Sequence, residues 1–192
     1  MNISPALPFC AALALLNLAA APAPRPQQVV DAATRTVDAL HAHLGHAYAP
    51  LLRQAKAVLI APAGASGDAV LLLHARQGWG EPAFFDATAL ATKTPTVLLI
   101  MSERALDTVL HQGGLPLDGP DALTLAPLSA KAGAELLLWP GRHDTLDDAG
   151  FRQDDATNAA WYGHPRNAAE IVGATLPDLR SSRLRHVLSQ GT

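Results

Sequence analysis

Residues 96–114 read TVLLIMSERALDTVLHQGG, and the rest of the chain is organised around them. The stretch opens on an uninterrupted apolar run, Val97 to Met101, bounded by Pro95 and Ser102. A run of that length and those boundaries predicts a strand buried on both faces. Ser102 offers an N-cap oxygen, and Glu103 falls at the positive end of the helix that would follow. Ala105, Leu106, Val109 and Leu110 then form one apolar stripe at helical spacing, with Gly113 as a left-handed stop. A strand running straight into a capped helix, each with a core face, is a nucleus on which other elements must pack.

The composition sets the outer limits. The chain has 192 residues, 49% of them hydrophobic, and a net charge of −3. That describes one ordinary globular domain with a real core and argues against overall disorder. It also argues against a nucleic-acid partner, which would call for a basic face. Cys10 is the single cysteine, so no internal disulfide can form, and Cys/His zinc spacing is absent. Residues 1–23 carry no charge and hold an apolar run, Phe9 to Leu16, followed by Ala19-Ala20-Ala21. This pattern predicts a signal peptide, although it lacks a basic start and Pro22 follows the small-residue site; a short N-terminal anchor is the other reading. The folded unit is then a single domain over residues 24–192, placed in the periplasm or secreted.

Working outward from the anchor, Gln27 to Leu44 reads as an amphipathic helix. Val30, Ala33, Val37, Leu40 and Leu44 lie on one face, with Asp31, Thr34, Arg35 and Asp38 mostly on the other. Gly45 ends it, and Pro50 starts a second short helix, Leu51 to Lys56. Ala57–Ala61 and Ala69–Arg76 read as strands, Gln77–Gly80 as a hairpin connection and Glu81–Asp86 as the returning strand. Leu115 to Pro127 reads as loop with short extended pieces, Ala134 to Trp139 is apolar, and Thr145 to Ala149 is acidic and exposed. Thr157–Tyr162 and Arg166–Val172 read as helices. Asp178–Leu188 reads as a last, basic helix with Leu179, Leu184, Val187 and Leu188 on its apolar side. The order predicts an α+β fold: N-terminal helices on a largely antiparallel sheet or partial barrel, with C-terminal helices.

Four segments in sequence order carry a resemblance. They are Leu52 to Pro62 (LRQAKAVLIAP), Val70 to Phe84 with its Gly78-Trp79-Gly80-Glu81-Pro82-Ala83-Phe84 end, the anchor run Val97 to Leu110, and Asp155 to Gly163 (DATNAAWYG). Together the chain resembles the SYLF-domain family over Val29 to Val172. It departs from that pattern where glycine-rich stretches are expected: Ala63–Asp68 is short, Ala87–Lys93 holds no glycine, and only Trp139 to Arg142 and a short acidic loop stand for a longer glycine-containing region. The resemblance implies a divergent, shortened member. It further implies a non-catalytic module that binds phospholipid or phosphoinositide headgroups, with actin binding in yeast members, exported and envelope-located in bacteria. Asp155, Asn158, Tyr162 and Gly163 stand at the positions of the family's last motif, and the N-terminal helix is an implied membrane-contact element.

Read from the residues alone, the Gln27–Leu44 helix mixes Asp31 and Asp38 with Arg35 and has a face of small apolar side chains, which favours packing on the sheet over membrane contact. Arg180, Arg183 and Arg185, with His186 beside them, form the stronger lipid-headgroup candidate, and Arg53 and Lys56 would add to it if they fold nearby. The competing reading is a solvated basic helix end, where cations are favoured in any case. His41, His43 and His46 lack a carboxylate partner, and the His143-Asp144 and Asp147-Asp148 pairs match no calcium loop. Ser66 in PAGASGD is not in a nucleophile elbow, and no phosphate loop or dinucleotide fingerprint occurs. Asn158, Trp161 and Tyr162 read as a structural corner, with Asp154 or Asp155 capping their helix and a ligand role for Asn158 as the sharper alternative. The expectation is therefore a non-enzymatic lipid-binding module without a cofactor, its partner a phospholipid membrane surface. The alternatives are a periplasmic structural or protein-interaction domain with an envelope protein as partner and, further off, a small hydrolase.

Overall fold

The computed structural model describes residues 25–45, 48–63, 67–88, 95–112, 122–125, 139–140, 152–172 and 179–190. Eight strands are described: β1 (Ala57–Ala61), β2 (Asp68–Ala75), β3 (Gly78–Trp79), β4 (Ala83–Asp86), β5 (Thr96–Ile100), β6 (Ala122–Leu125), β7 (Trp139–Pro140) and β8 (Arg152–Gln153). They form an antiparallel sheet in the order β7-β6-β5-β1-β2-β4-β8, with β3 paired to the end of β2. The helices are α1 (Arg25–Leu44), α2 (Ala49–Gln54), α3 (Glu103–Asp107), α4 (Asp155–Tyr162), α5 (Ala168–Val172) and α6 (Ser182–Gln190).

The sheet is covered on both faces, which is why its central strands read as unbroken apolar runs and not as an alternation. Val58, Ile60, Val70, Leu72, Phe84, Val97 and Leu99 face one way, into a core shared with α1, α2, α4 and α6. Ala57, Leu59, Ala69, Leu71, Phe85, Leu98 and Ile100 face the other way, against α5 and the helix that leaves β5. Neighbouring strands agree in register: Val58 lies opposite Leu72 and Leu99, and Leu59 opposite Leu71 and Leu98. Residues of like facing thus meet across strands, as a period-two side-chain pattern requires.

The anchor folds as its sequence predicts. β5 lies beside β1 inside the sheet, and Ser102 Oγ accepts from the Ala105 amide at 3.1 Å. α3 then widens into a π-helical turn, Thr108–Gln112, whose Leu110 carbonyl accepts from Gln153 Nε2 at 2.8 Å. Gly113, the expected stop, lies outside the described residues, as do residues 1–23, Ala134 to Leu138 and the acidic stretch 145–149.

Several boundaries differ from the sequence reading. Thr34, assigned to the polar face of α1, is buried and donates its hydroxyl to the Val30 carbonyl at 2.8 Å, which lets a β-branched polar side chain sit in a core. The returning strand does not begin at Glu81. Gly78 and Trp79 pair with Ala75 and His74, Glu81 and Pro82 interrupt the ladder, and β4 resumes at Ala83 opposite Leu71. Pro82 has no N–H to donate, so a break there is expected. One of the short extended pieces expected within residues 115–127, Ala122–Leu125, is a strand paired to β5. The last segment is a 3-10 turn, Leu179–Ser181, leading into α6, and Leu179 stands 85% exposed instead of facing the core.

Candidate functional site

The turn and helix at residues 179–190 lie against α1 and β3, and the arginines of this region have distinct surroundings. Leu184, Val187 and Leu188 recur at helical spacing and are buried in the core shared with α1. That fixes the rotation of α6 and therefore which arginines reach solvent. Arg183 points out: its side chain is 79% exposed, and Nη2 lies 3.4 Å from Asp38 Oδ2 on α1. Arg185 is turned inward, with Nη1 3.3 Å from Glu81 Oε1, and Glu81 itself is only 3% exposed. Ser181 Oγ donates to the other oxygen of Glu81 at 2.9 Å. Arg180 Cζ lies over Trp161, 4.0 Å from the ring centroid, and the guanidinium donates to the Trp161 carbonyl. That contact makes the guanidinium a cation–π partner while part of the residue stays in water.

The remaining predicted cations come from α2 and its end. Arg53 is exposed on the last turn of α2, and Lys56 Nζ pairs with Glu103 Oε1 at 3.0 Å, both side chains well exposed. The structure thus divides the predicted basic group. Arg180 and Arg183 are exposed, Arg180 over Trp161 and Arg183 near Asp38, while Arg185 serves the interior and Lys56 is engaged at the start of α3.

The family-like motif is arranged as a clamp on the sheet edge. Asp154 caps α4 by accepting from the Thr157 amide and hydroxyl, while Asp155 is the exposed acid of the first turn. Asn158 is fully buried. Its side-chain oxygen accepts from the Phe84 amide at 2.8 Å, and its Nδ2 donates to the Phe84 carbonyl at 3.2 Å. β8 pairs with β4 only as far as Phe85, so the amide of Asn158 continues the ladder where the strand stops. Tyr162 donates its hydroxyl to the Pro82 carbonyl at 2.7 Å, and Trp161 packs 5.4 Å from Phe84, centroid to centroid. Gly163 ends the helix at φ 76°, a left-handed cap. These contacts assign the motif the structural role that the residues suggested.

Other candidates are dispersed. His41 lies against Tyr48, with ring centroids 5.0 Å apart, and His43 is exposed, while His46, His143, Asp144, Asp147, Asp148 and Ser66 lie outside the described residues. Among the described residues no three His, Cys, Asp or Glu side chains gather as a metal site. No described helix is long and apolar enough to cross a membrane. A cleft of about 120 Å³ opens between α1 and the β1–β2 connection, lined by Arg25, Val29, Pro62 and Asp68. Its polar side is occupied by the Arg25–Asp68 ion pair, and Asp154 and Asp86 also act on Arg25; the Asp68 hydrogen bond and charge hold the guanidinium's pKa above its ordinary value. Tyr48 is fully buried beside Asp38, and burial first, then that carboxylate, pushes its phenol well above the ordinary range.

Sequence reasoning missed Glu81 and Leu179. Glu81 carried a signal, a carboxylate just ahead of the apolar run Ala83–Phe85, which buries well only against a cation. Leu179 carried none, because its outward turn follows from a 3-10 start that helical spacing does not reveal. Comparison of the chain with protein-family models, with curated proteins and with solved structures finds no match.

Proposed function

We propose that this chain is a non-enzymatic, SYLF-type module of the cell envelope that engages anionic phospholipid headgroups through Leu179, Arg180 and Arg183. The observation that carries the reading is Leu179, 85% exposed on a 3-10 turn that is followed in the chain by the exposed Arg180 and Arg183. A leucine held in water beside cations matches the pairing of an apolar anchor with headgroup-binding charge. The ordered resemblance supports the same class of partner, and the signal-like segment 1–23 supports an envelope or secreted location.

The magnitudes set how tight such contact can be. Full burial of a leucine contributes about 1.5–3 kcal/mol, and each cation near an anionic surface about 1 kcal/mol. One leucine and two arginines therefore reach about 4 kcal/mol, a millimolar-class and salt-sensitive affinity. Arg185 adds little to this sum because its charge already faces Glu81. Co-sedimentation with phosphatidylglycerol-containing vesicles at low and high salt tests the reading, and binding is expected at low salt only. A second reading, an envelope protein-interaction domain, draws support from the internal use of Arg185 and Lys56. Absence of vesicle binding at low salt would leave that reading standing in place of the first.

A further inference from the structure

We infer that Asp38 acts as a built-in competitor of the lipid headgroup for Arg183, so that α1 carries a mask over the contact residue of α6. The inference rests on the lipid reading above and assigns that site a regulating residue. Three observations carry it. Arg183 and Asp38 meet across 145 positions of sequence, joining the last helix to the first through a single 3.4 Å contact. Both side chains remain open to water, 79% and 41% exposed, so the contact can be exchanged without unpacking the core. The buried attachment of α6 is made by other groups, Leu184, Val187, Leu188 and the Arg185–Glu81 pair, and does not depend on it.

The competition is weighted toward an incoming anion. An exposed pair held by one long contact shifts an equilibrium by no more than about fivefold. A phosphate group can instead meet the guanidinium through two parallel hydrogen bonds. Asp38 also places a negative charge where a negative surface would approach, and one charge near such a surface is again worth about fivefold. The other charges on this face of α1 are placed differently: Asp31 accepts from Gln27 at 2.8 Å, and Arg35 is exposed between the two acids. Asp31 thus serves as a control of equal charge on the same helix.

The test measures binding of the purified protein to vesicles of phosphatidylglycerol and phosphatidylcholine at low salt. Wild type is compared with Asp38→Asn, Asp31→Asn, Arg183→Ala and the Asp38→Asn/Arg183→Ala pair, with thermal unfolding of each as a fold control. The expected result is between about fivefold and twenty-five-fold tighter binding for Asp38→Asn, no more than about fivefold for Asp31→Asn, and a fall of the Asp38→Asn gain to that of Asp31→Asn on the Arg183→Ala background. If wild type binds and Asp38→Asn gains no more than Asp31→Asn, or keeps its full gain without Arg183, the masking role is overturned while the lipid reading stands. If neither wild type nor Asp38→Asn binds, the lipid reading fails and the masking role with it.

Discussion

Replacing Arg185 with alanine separates an internal role from a lipid-binding one. Its partner Glu81 is 3% exposed and is approached by Arg185 Nη1 at 3.3 Å and by the Ser181 hydroxyl at 2.9 Å. Removing the guanidinium leaves a carboxylate in the interior with its hydroxyl donor but without that cation. Breaking a buried pair from one side costs about 3–5 kcal/mol. The Ser181 hydrogen bond and the 20% exposure of the Arg185 side chain place this case at the lower end, about 3 kcal/mol. For a chain of this size each kcal/mol moves the melting temperature by about 2–4 °C, so the variant should melt roughly 6–12 °C lower. Changing both partners, Glu81→Gln with Arg185→Met, removes the stranded charge and should recover much of the loss. Calorimetry or denaturant unfolding measures all three species. An Arg185→Ala variant that melts within a degree or two of wild type would refute the reasoning, more so if it lost vesicle binding while fully folded.

Two further outcomes follow from the buried polar groups. Asn158→Ala removes both side-chain bonds to Phe84; the carbonyl keeps the Asp154 amide at 2.9 Å, but the Phe84 amide loses its acceptor, so a loss of about 2–3 kcal/mol is expected in denaturant unfolding. Tyr48→Phe deletes a buried hydroxyl that has no hydrogen-bond partner among the described residues, and it should be neutral or stabilising by up to about 1 kcal/mol at neutral pH. The Tyr48 phenol is raised in the folded state by burial, so its contribution is complete below the ordinary value of 10.0 and is lost as the pH rises above it. Wild type should therefore destabilise more steeply than Tyr48→Phe above about pH 10, as read by melting temperature against pH.

The sheet and the helices that cover it were legible because their residues obey local rules. Val97 to Ile100 and Ala57 to Ala61 are apolar without alternation because helices lie on both faces of the sheet, and Ser102 announces its cap by chemistry alone. Reading Glu81–Asp86 as one strand misses the break at Pro82, although the proline's missing donor accounts for it. The pairing of Ala122–Leu125 with β5 was not legible, since it depends on a partner far along the chain. The same limit applies to the arginines. Periodicity places Arg180, Arg183 and Arg185 near one another, but only packing shows that Arg183 meets water, Arg185 meets Glu81 and Arg180 lies over Trp161. Leu179 was assigned inward because helical spacing was extended over a turn that is 3-10. The reading of Asn158 as structural rests on service to local backbone, whereas both of its bonds go to the Phe84 backbone, 74 positions away.

The proposed contact is tested most directly by salt-dependent co-sedimentation with phosphatidylglycerol-containing vesicles, comparing wild type with a Leu179→Ser/Arg183→Ala variant. Both side chains are well exposed, at 85% for the Leu179 residue and 79% for the Arg183 side chain, so the variant should keep the melting temperature of wild type. The account predicts weak wild-type binding at low salt, its disappearance at high salt, and a loss of at least tenfold in the variant. Binding that the variant retains would place the contact elsewhere on the molecule, salt-independent binding would contradict contact through headgroup charge, and no wild-type binding at low salt would contradict the lipid assignment.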